Sequence, residues 1–259
     1  MIKRNFILVK HLLKKNVLDK KSITISEKQE ERFQCLKRKY PQITFTKDNK
    51  ELIENSSIII LAVKPQDMES LLQEISQFVT ASHLIISIAA GIKTSFIEKI
   101  IKKSIPIIRA MPNLPALIGE GMSVYCISKS VSEEDKKIAE EIFGSVGKVL
   151  KLEEDKLDAV TALSGSGPAY VFYMLEAMAE TGIELGLKEE ESKTLSVQTI
   201  IGAAKMIEKG ECPAVLRQKV TSPKGTTEAA LKVLIDTKWK EALIQAIKKA
   251  EQRSKELSK

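Results

Sequence analysis

Residues 58–63 read IIILAV, six apolar residues in a row, and the run stops at Lys64 and Pro65. A run so uniform suits a strand covered on both faces, as in a parallel sheet. Directly after it, Met68, Leu71, Leu72, Ile75, Phe78 and Val79 recur at helical spacing, which places a helix behind the strand. The same unit repeats. A strand over 84–88 is ended by Ala89, Ala90 and Gly91, a helix follows over 95–103, and a strand over 105–109 runs into Met111-Pro112-Asn113. Upstream, residues 6–13 read as the end of a helix. After them come a strand over 22–26, a charged helix over 27–39 with Phe33 and Leu36 inward, and a short strand over 43–45. Strands that alternate with helices imply a parallel α/β sheet. Ligands in such sheets lie at the carboxyl ends of the strands, here 62–65, 88–91 and 111–113. Strands over 122–127 and 148–152, with a helix over 133–143 between them, complete this half.

Beyond Glu153 the pattern changes and no further strand is expected. The glycine-rich turn Leu163-Ser164-Gly165-Ser166-Gly167-Pro168 opens a helix over 169–187 whose first half is apolar almost all round. A helix of that kind must be buried on several sides, and a second copy of itself is the simplest cover. Long helices are also expected over 191–209 and 236–257. The expected division is therefore residues 1–153, a Rossmann-like α/β domain, and 154–259, an all-α dimerisation domain.

Within the helical part lies LRQKVTSPKGTTEAAL, residues 216–231. Either Ser222-Pro223 or Thr226-Thr227 after Gly225 can open a helix, because hydroxyls cap free amides and Pro suits the first helical position. The bare amides at such a start, with the helix dipole behind them, can hold a carboxylate or phosphate. The same residues can also serve as nothing more than a cap.

Composition narrows the function classes. Cys35, Cys126 and Cys212 are far apart with no C-x-x-C pair, and the only histidines are His11 and His83. A disulfide framework and a zinc or His-based metal site are therefore not expected, and a reducing, cytoplasmic setting is. The net charge is +7, but the lysines are spread along the chain and aromatic residues are only 5%, so no nucleic-acid platform is visible. The most apolar helical run, 169–179, is far shorter than the ~20 residues of a membrane span.

Five stretches together resemble the pyrroline-5-carboxylate reductase family. They are residues 60–66 (ILAVKPQ), 87–91 (SIAAG), 109–113 (RAMPN), 158–170 (DAVTALSGSGPAY) and 213–231, and the likeness runs from about residue 16 to the C-terminus. The resemblance implies a nicotinamide cofactor, NADPH or NADH, across the strand ends, lined by Asn49, Ala62, Val63, Lys64, Pro65, Ile88, Ala89 and Ala90. It implies a small-molecule substrate near Glu154, Ser222, Thr226 and Thr227, with hydride transfer to C5 of a cyclic imine. An iminium carbon is already electrophilic, so the chain need only position it and partner the ring nitrogen. The Thr227 hydroxyl is the candidate for that catalytic task. The amides of Thr226 and Thr227, with the Ser222 hydroxyl, are expected to take the substrate carboxylate. Lys224 stands where the family usually has a small residue. A homodimer, and beyond it a ring of dimers, is the implied assembly. Glu27 suits the ribose hydroxyls of NAD, and Lys28 suits the extra phosphate of NADP.

One departure stands out. The family begins with a strand and a G-x-G-x-x-G loop, whereas no glycine precedes Gly91 here. Residues 1–5 fall where the end of that loop belongs, so the sheet is expected to be N-terminally incomplete. The strand concerned belongs mid-sheet in the order 3-2-1-4-5-6. Its roughly five buried side chains, at ~1.5–3 kcal/mol each, match the 5–15 kcal/mol stability of a typical domain. The two readings are an upstream true start, which leaves an active reductase, and a decayed, non-catalytic dimer-forming copy.

Overall fold

The computed structural model describes Leu12 and residues 22–258. Residues 1–5, expected to stand where the end of the family's loop belongs, and most of the helix expected over 6–13, lie outside the described residues. The chain divides into two compact units, residues 1–166 with 250–259, and residues 167–249.

The first unit is built on strands. A two-stranded parallel sheet pairs β1 (Thr24–Ser26) with β2 (Thr44–Thr46). A five-stranded sheet has the order β3 (Ile58–Leu61), β4 (Leu84–Ser87), β5 (Ile107–Pro112), β6 (Gly121–Ile127), β7 (Gly147–Lys151). The helices are α1 (Glu30–Lys39), α2 (Asn49–Glu54), α3 (Met68–Ile75), α4 (Thr94–Ile101), α5 (Glu133–Gly144) and the short α6 (Leu157–Val160). Successive side chains alternate across the sheet, so each strand feeds two cores. Ile59, Leu61, Ile85 and Ile107 pack with Met68, Leu72, Ile75, Ile97 and Ile101 on one face. Leu84, Ile86, Ile108 and Ala110 pack with Ala139, Ile142 and Phe143 on the other. Each such side chain contributes roughly 1.5–3 kcal/mol on burial, which is why the runs contain almost no polar residue.

The sheet departs from the expected parallel order at the β5–β6 junction, so β6 and β7, parallel to each other, both run against β3, β4 and β5. β6 runs antiparallel to β5, with Arg109 opposite Cys126 and Pro112 opposite Ser123. Only residues 113–120 join the two strands, and a parallel crossover needs a dozen or more.

His83, just before β4, shows how the turns are closed. Its Nδ1 accepts the Thr80 N–H at 2.8 Å, so Nε2 carries the proton and donates to the Ile53 carbonyl at 3.2 Å. The ring is buried. His83→Ala leaves both backbone groups without that partner and is expected to cost about 1–3 kcal/mol, read as a lower urea midpoint with an unchanged slope.

The second unit is helical: α7 (Gly167–Glu184), α8 (Glu189–Glu208), α9 (Pro213–Lys219), α10 (Thr226–Asp236) and most of α11 (Trp239–Leu257). The helix expected over 236–257 starts at Trp239, three residues later, because α10 ends at Asp236 and Lys238 adopts a left-handed φ of 56°. Within the unit α7 and α8 approach closely. The Ser192 hydroxyl donates to the Ala179 carbonyl at 2.6 Å, and a Cβ on Gly182 would overlap that hydroxyl. No residue of α7 is buried, and Val171, Phe172, Tyr173 and Met174 are exposed. No helix among the described residues is long and apolar enough to cross a membrane.

Candidate active site

The register of the parallel strands sets one edge of the first unit. Leu61 pairs with Ser87, and Ser87 with Arg109, so β3 and β4 end side by side against the middle of β5, which runs on to Pro112. Ala62, Val63, Lys64 and Pro65 leave from β3, and Ile88, Ala89 and Ala90 leave from the adjacent β4. The Ile88 amide donates to the Leu61 carbonyl at 3.1 Å, which ties the two segments together. Ala62 and Val63 are half-buried, Ala89 is buried, and Lys64, Pro65 and Ala90 are exposed. Gly91 has φ +74°, a conformation that favours glycine, and turns the chain toward α4. The small residues Ala62, Ala89, Ala90 and Gly91 leave the backbone open to close approach at those positions, a property a dinucleotide requires.

Asn49 lies at the end of β1 instead. It is buried, its Oδ1 accepts from the Ser26 hydroxyl at 2.7 Å, and its Nδ2 donates to Glu74 at 3.0 Å. Nearby, Glu27 pairs with Arg32 at 3.1 Å and Lys28 with Glu74 at 2.6 Å. The two residues that sequence associates with the ribose therefore each hold a partner within the fold.

Glu154, expected near the substrate, has both carboxylate oxygens engaged inside the first unit. One accepts the Thr94 amide at 2.8 Å and the Arg109 guanidinium at 3.1 Å, and the other accepts the Thr94 hydroxyl at 2.7 Å. Glu154 thus closes the N-terminus of α4, where amides lack intrahelical partners and the dipole favours an anion. Arg109 is buried in the middle of an apolar strand. Sequence reasoning assigned no site role to Arg109 or Thr94, although an arginine inside IIRAM was a visible signal that a carboxylate must meet it. Asn113 was missed in the same way. Its Nδ2 donates to the Ser164 carbonyl at 3.3 Å and its Oδ1 accepts from the Met122 amide at 2.9 Å, which ties the end of β5 to residues 161–165, a helical segment where a glycine-rich turn was expected.

Burial, and next the negative charge of Glu154, push the Cys126 thiol up to about 12. The thiol therefore stays protonated at neutral pH, and only the thiolate is reactive. A disulfide reagent is expected to label the exposed Cys35 in the native protein and to leave Cys126 unlabelled until the chain is unfolded.

In the second unit, Ser222, Thr226 and Thr227 share one turn. α10 opens at Thr226 with Gly225 as the residue before it, so Ser222-Pro223 is not the helix start. The Gly225 amide donates to the Ser222 carbonyl at 3.0 Å, and a Cβ at Gly225 would overlap the Ser222 hydroxyl. The hydroxyls of Ser222 and Thr227 have no partner among the described residues, and the Thr226 and Thr227 amides stand in the first helical turn, where no carbonyl of the helix reaches them. Lys224 has a left-handed φ of 58°, and its amide donates to the Glu228 carboxylate at 2.8 Å. Holding a lysine there costs about 1–2 kcal/mol. Among the described residues no cluster of His, Cys, Asp or Glu is placed to hold a metal.

An α/β unit followed in the chain by a helical unit with a hydroxyl-rich helix start fits the class of two-unit nicotinamide-dependent oxidoreductases. Residues 154–257 match the family described as pyrroline-5-carboxylate reductase dimerisation, and residues 5–91 match that described as NADP oxidoreductase, coenzyme F420-dependent. The chain is 40% identical over 253 residues to pyrroline-5-carboxylate reductase 1 of Bacillus spizizenii, spanning 97% of this chain and 85% of that protein. The structure is similar to that of the Plasmodium falciparum pyrroline carboxylate reductase with NADP bound, with a TM-score of 0.89 and 31% identity, covering 98% of this chain and 94% of that one. It is likewise similar to the Coxiella burnetii pyrroline-5-carboxylate reductase, with a TM-score of 0.88 and 37% identity over 100% and 96% of the two chains. This chain belongs to the pyrroline-5-carboxylate reductase family.

Proposed function

We propose that this chain reduces 1-pyrroline-5-carboxylate to L-proline with NADPH or NADH, and that Thr227 is the catalytic residue. The observation that carries the reading is the turn at 222–227, where two hydroxyls and two first-turn amides stand without partners among the described residues. The cofactor fits the edge formed by residues 62–65 and 88–90, because Ala62, Ala89 and Ala90 are small and let the backbone be approached.

When bound, the reduced nicotinamide supplies a hydride. C5 of the protonated imine accepts it, the C=N double bond becomes a single bond, and the ring nitrogen keeps its proton as the secondary amine of proline. The chain contributes position. The Thr226 and Thr227 amides and the Ser222 hydroxyl hold the substrate carboxylate, with the dipole of α10 behind them. The Thr227 hydroxyl hydrogen-bonds the ring nitrogen and so fixes which face of C5 meets the hydride.

The chain acts in the cytoplasm as a homodimer joined through the helical unit, with a ring of dimers as the higher assembly. The exposed apolar side chains of α7 support a second copy as the cover, since monomers rarely leave so large a patch open. The reading is tested by mixing the purified chain with pyrroline-5-carboxylate and each cofactor and following the absorbance of the reduced form. Turnover that needs all three components is expected. A self-associating chain that shows none with either cofactor overturns the reading in favour of a non-catalytic assembly module.

A further inference from the structure

The seven residues 88–94 that lead from β4 into α4 are held at their far end and at their middle from a single short segment. At the far end, Thr94 gives its amide and hydroxyl to Glu154, and Arg109 of β5 pins the same carboxylate. In the middle of the segment, Gly91 lies against the last turn of α11. A Cβ on Gly91 would stand 2.9 Å from the Leu257 carbonyl oxygen and 3.5 Å from Ser258 Cα. That last turn is itself anchored, because the hydroxyls of Ser254 and Ser258 donate to Asp158 Oδ1 at 2.6 Å and 3.0 Å. Glu154 and Asp158 are four residues apart in the helical segment 154–160, a spacing that sets two side chains on one face.

We propose that Glu154 and Asp158 are a pair of positioning residues for the nicotinamide cofactor, acting through Thr94 and through the Ser254–Ser258 turn to fix the 88–91 loop. The inference rests on the reading that Ile88, Ala89 and Ala90 line the cofactor. It gives Glu154 a task other than contact with substrate, one that follows from where its two oxygens point. The physical basis is pre-organisation. A loop already held in one conformation loses less freedom when a ligand settles on it, and the binding constant reflects that difference. The charge-assisted bonds to Thr94 and Arg109 are of the strong kind.

The test uses the full chain and reads four quantities: cofactor affinity by fluorescence titration with NADPH and NADH, KM for pyrroline-5-carboxylate at saturating cofactor, kcat, and Tm. Thr94→Val keeps the shape and the amide but loses the hydroxyl, and the double variant Ser254→Ala, Ser258→Ala releases the middle of the segment without burying a charge. Each is expected to weaken cofactor binding roughly five- to fifty-fold, with substrate KM and kcat at saturation within about two-fold. Thr94→Ser is expected to restore most of the affinity. Unchanged cofactor affinity in folded variants overturns the inference. So does a substrate KM that rises as much as the cofactor constant, or a Thr94→Ser no better than Thr94→Val. Wild-type chain that binds neither cofactor overturns the underlying reading of the strand-end edge as well, which separates the two failures.

Discussion

Replacing Thr227 by alanine is expected to lower kcat/KM for pyrroline-5-carboxylate by roughly 10²- to 10³-fold, the usual cost of removing one hydrogen-bonding group aimed at a reacting centre. Thr227 is the second residue of α10 and is half-buried, so its hydroxyl is held by the helix backbone rather than by a mobile loop. Alanine is a good helix former at this position, and the hydroxyl makes no bond within the described residues, so stability should change by less than about 1 kcal/mol. The signature is therefore a large loss in turnover with cofactor affinity and Tm nearly constant. Thr227→Ser should retain much of the activity. An equal fall in turnover and cofactor affinity, or a Thr227→Ala enzyme within about three-fold of wild type, would assign the residue to the scaffold alone.

The largest effect on stability is expected at Gly147. This residue has φ +146° and begins β7, where the strand presses against Gly121 of β6. A Cβ there would overlap the Gly121 carbonyl oxygen and stand 2.5 Å from the Gly121 nitrogen. These are backbone atoms of a paired strand, so nothing flexible can yield. Gly147→Ala is expected to cost more than about 4 kcal/mol, in the range reserved for special backbone positions and core disruption. It should appear as insoluble protein or a collapsed Tm. Gly144, three residues earlier at the end of α5, is the control, because a Cβ added there would meet no atom within 4 Å. Gly144→Ala should be neutral or stabilise by up to about 1 kcal/mol. If both substitutions behave alike, the close approach of β6 and β7 is not what selects glycine at 147.

The strands were legible because burial on both faces leaves no room for polar residues. Residues 58–61 and 84–87 announce themselves as apolar runs, and their carboxyl ends follow from the sequence directly. The reversal of β6 was legible in principle, since residues 113–120 are too few for a crossover, but an alternating pattern alone does not report strand direction. The start of the last helix, three residues later than expected, was hidden because nothing in a lysine signals the left-handed backbone that Lys238 adopts. The site was readable where it is local. Ser222, Thr226 and Thr227 fall within six residues, so their shared turn follows from helix-start chemistry. The cluster of Thr94, Arg109 and Glu154 is different, because its members meet across 45 and 60 residues of chain. Spacing cannot reveal such a meeting, and the one clue was the arginine buried in β5.

The polypeptide leaves the first unit at Ser166 and returns to it at Ala250. In chain terms the helical unit is an insertion, and the α/β unit is completed by a segment made after it. A fragment ending near residue 166 would therefore lack Ser254, Leu257 and Ser258, leaving Asp158 without its two hydroxyl donors and Gly91 uncovered. Such a fragment is a poor stand-in for the nucleotide half in binding work. During synthesis, too, that half cannot reach its finished form until the ribosome has delivered the final turns of α11.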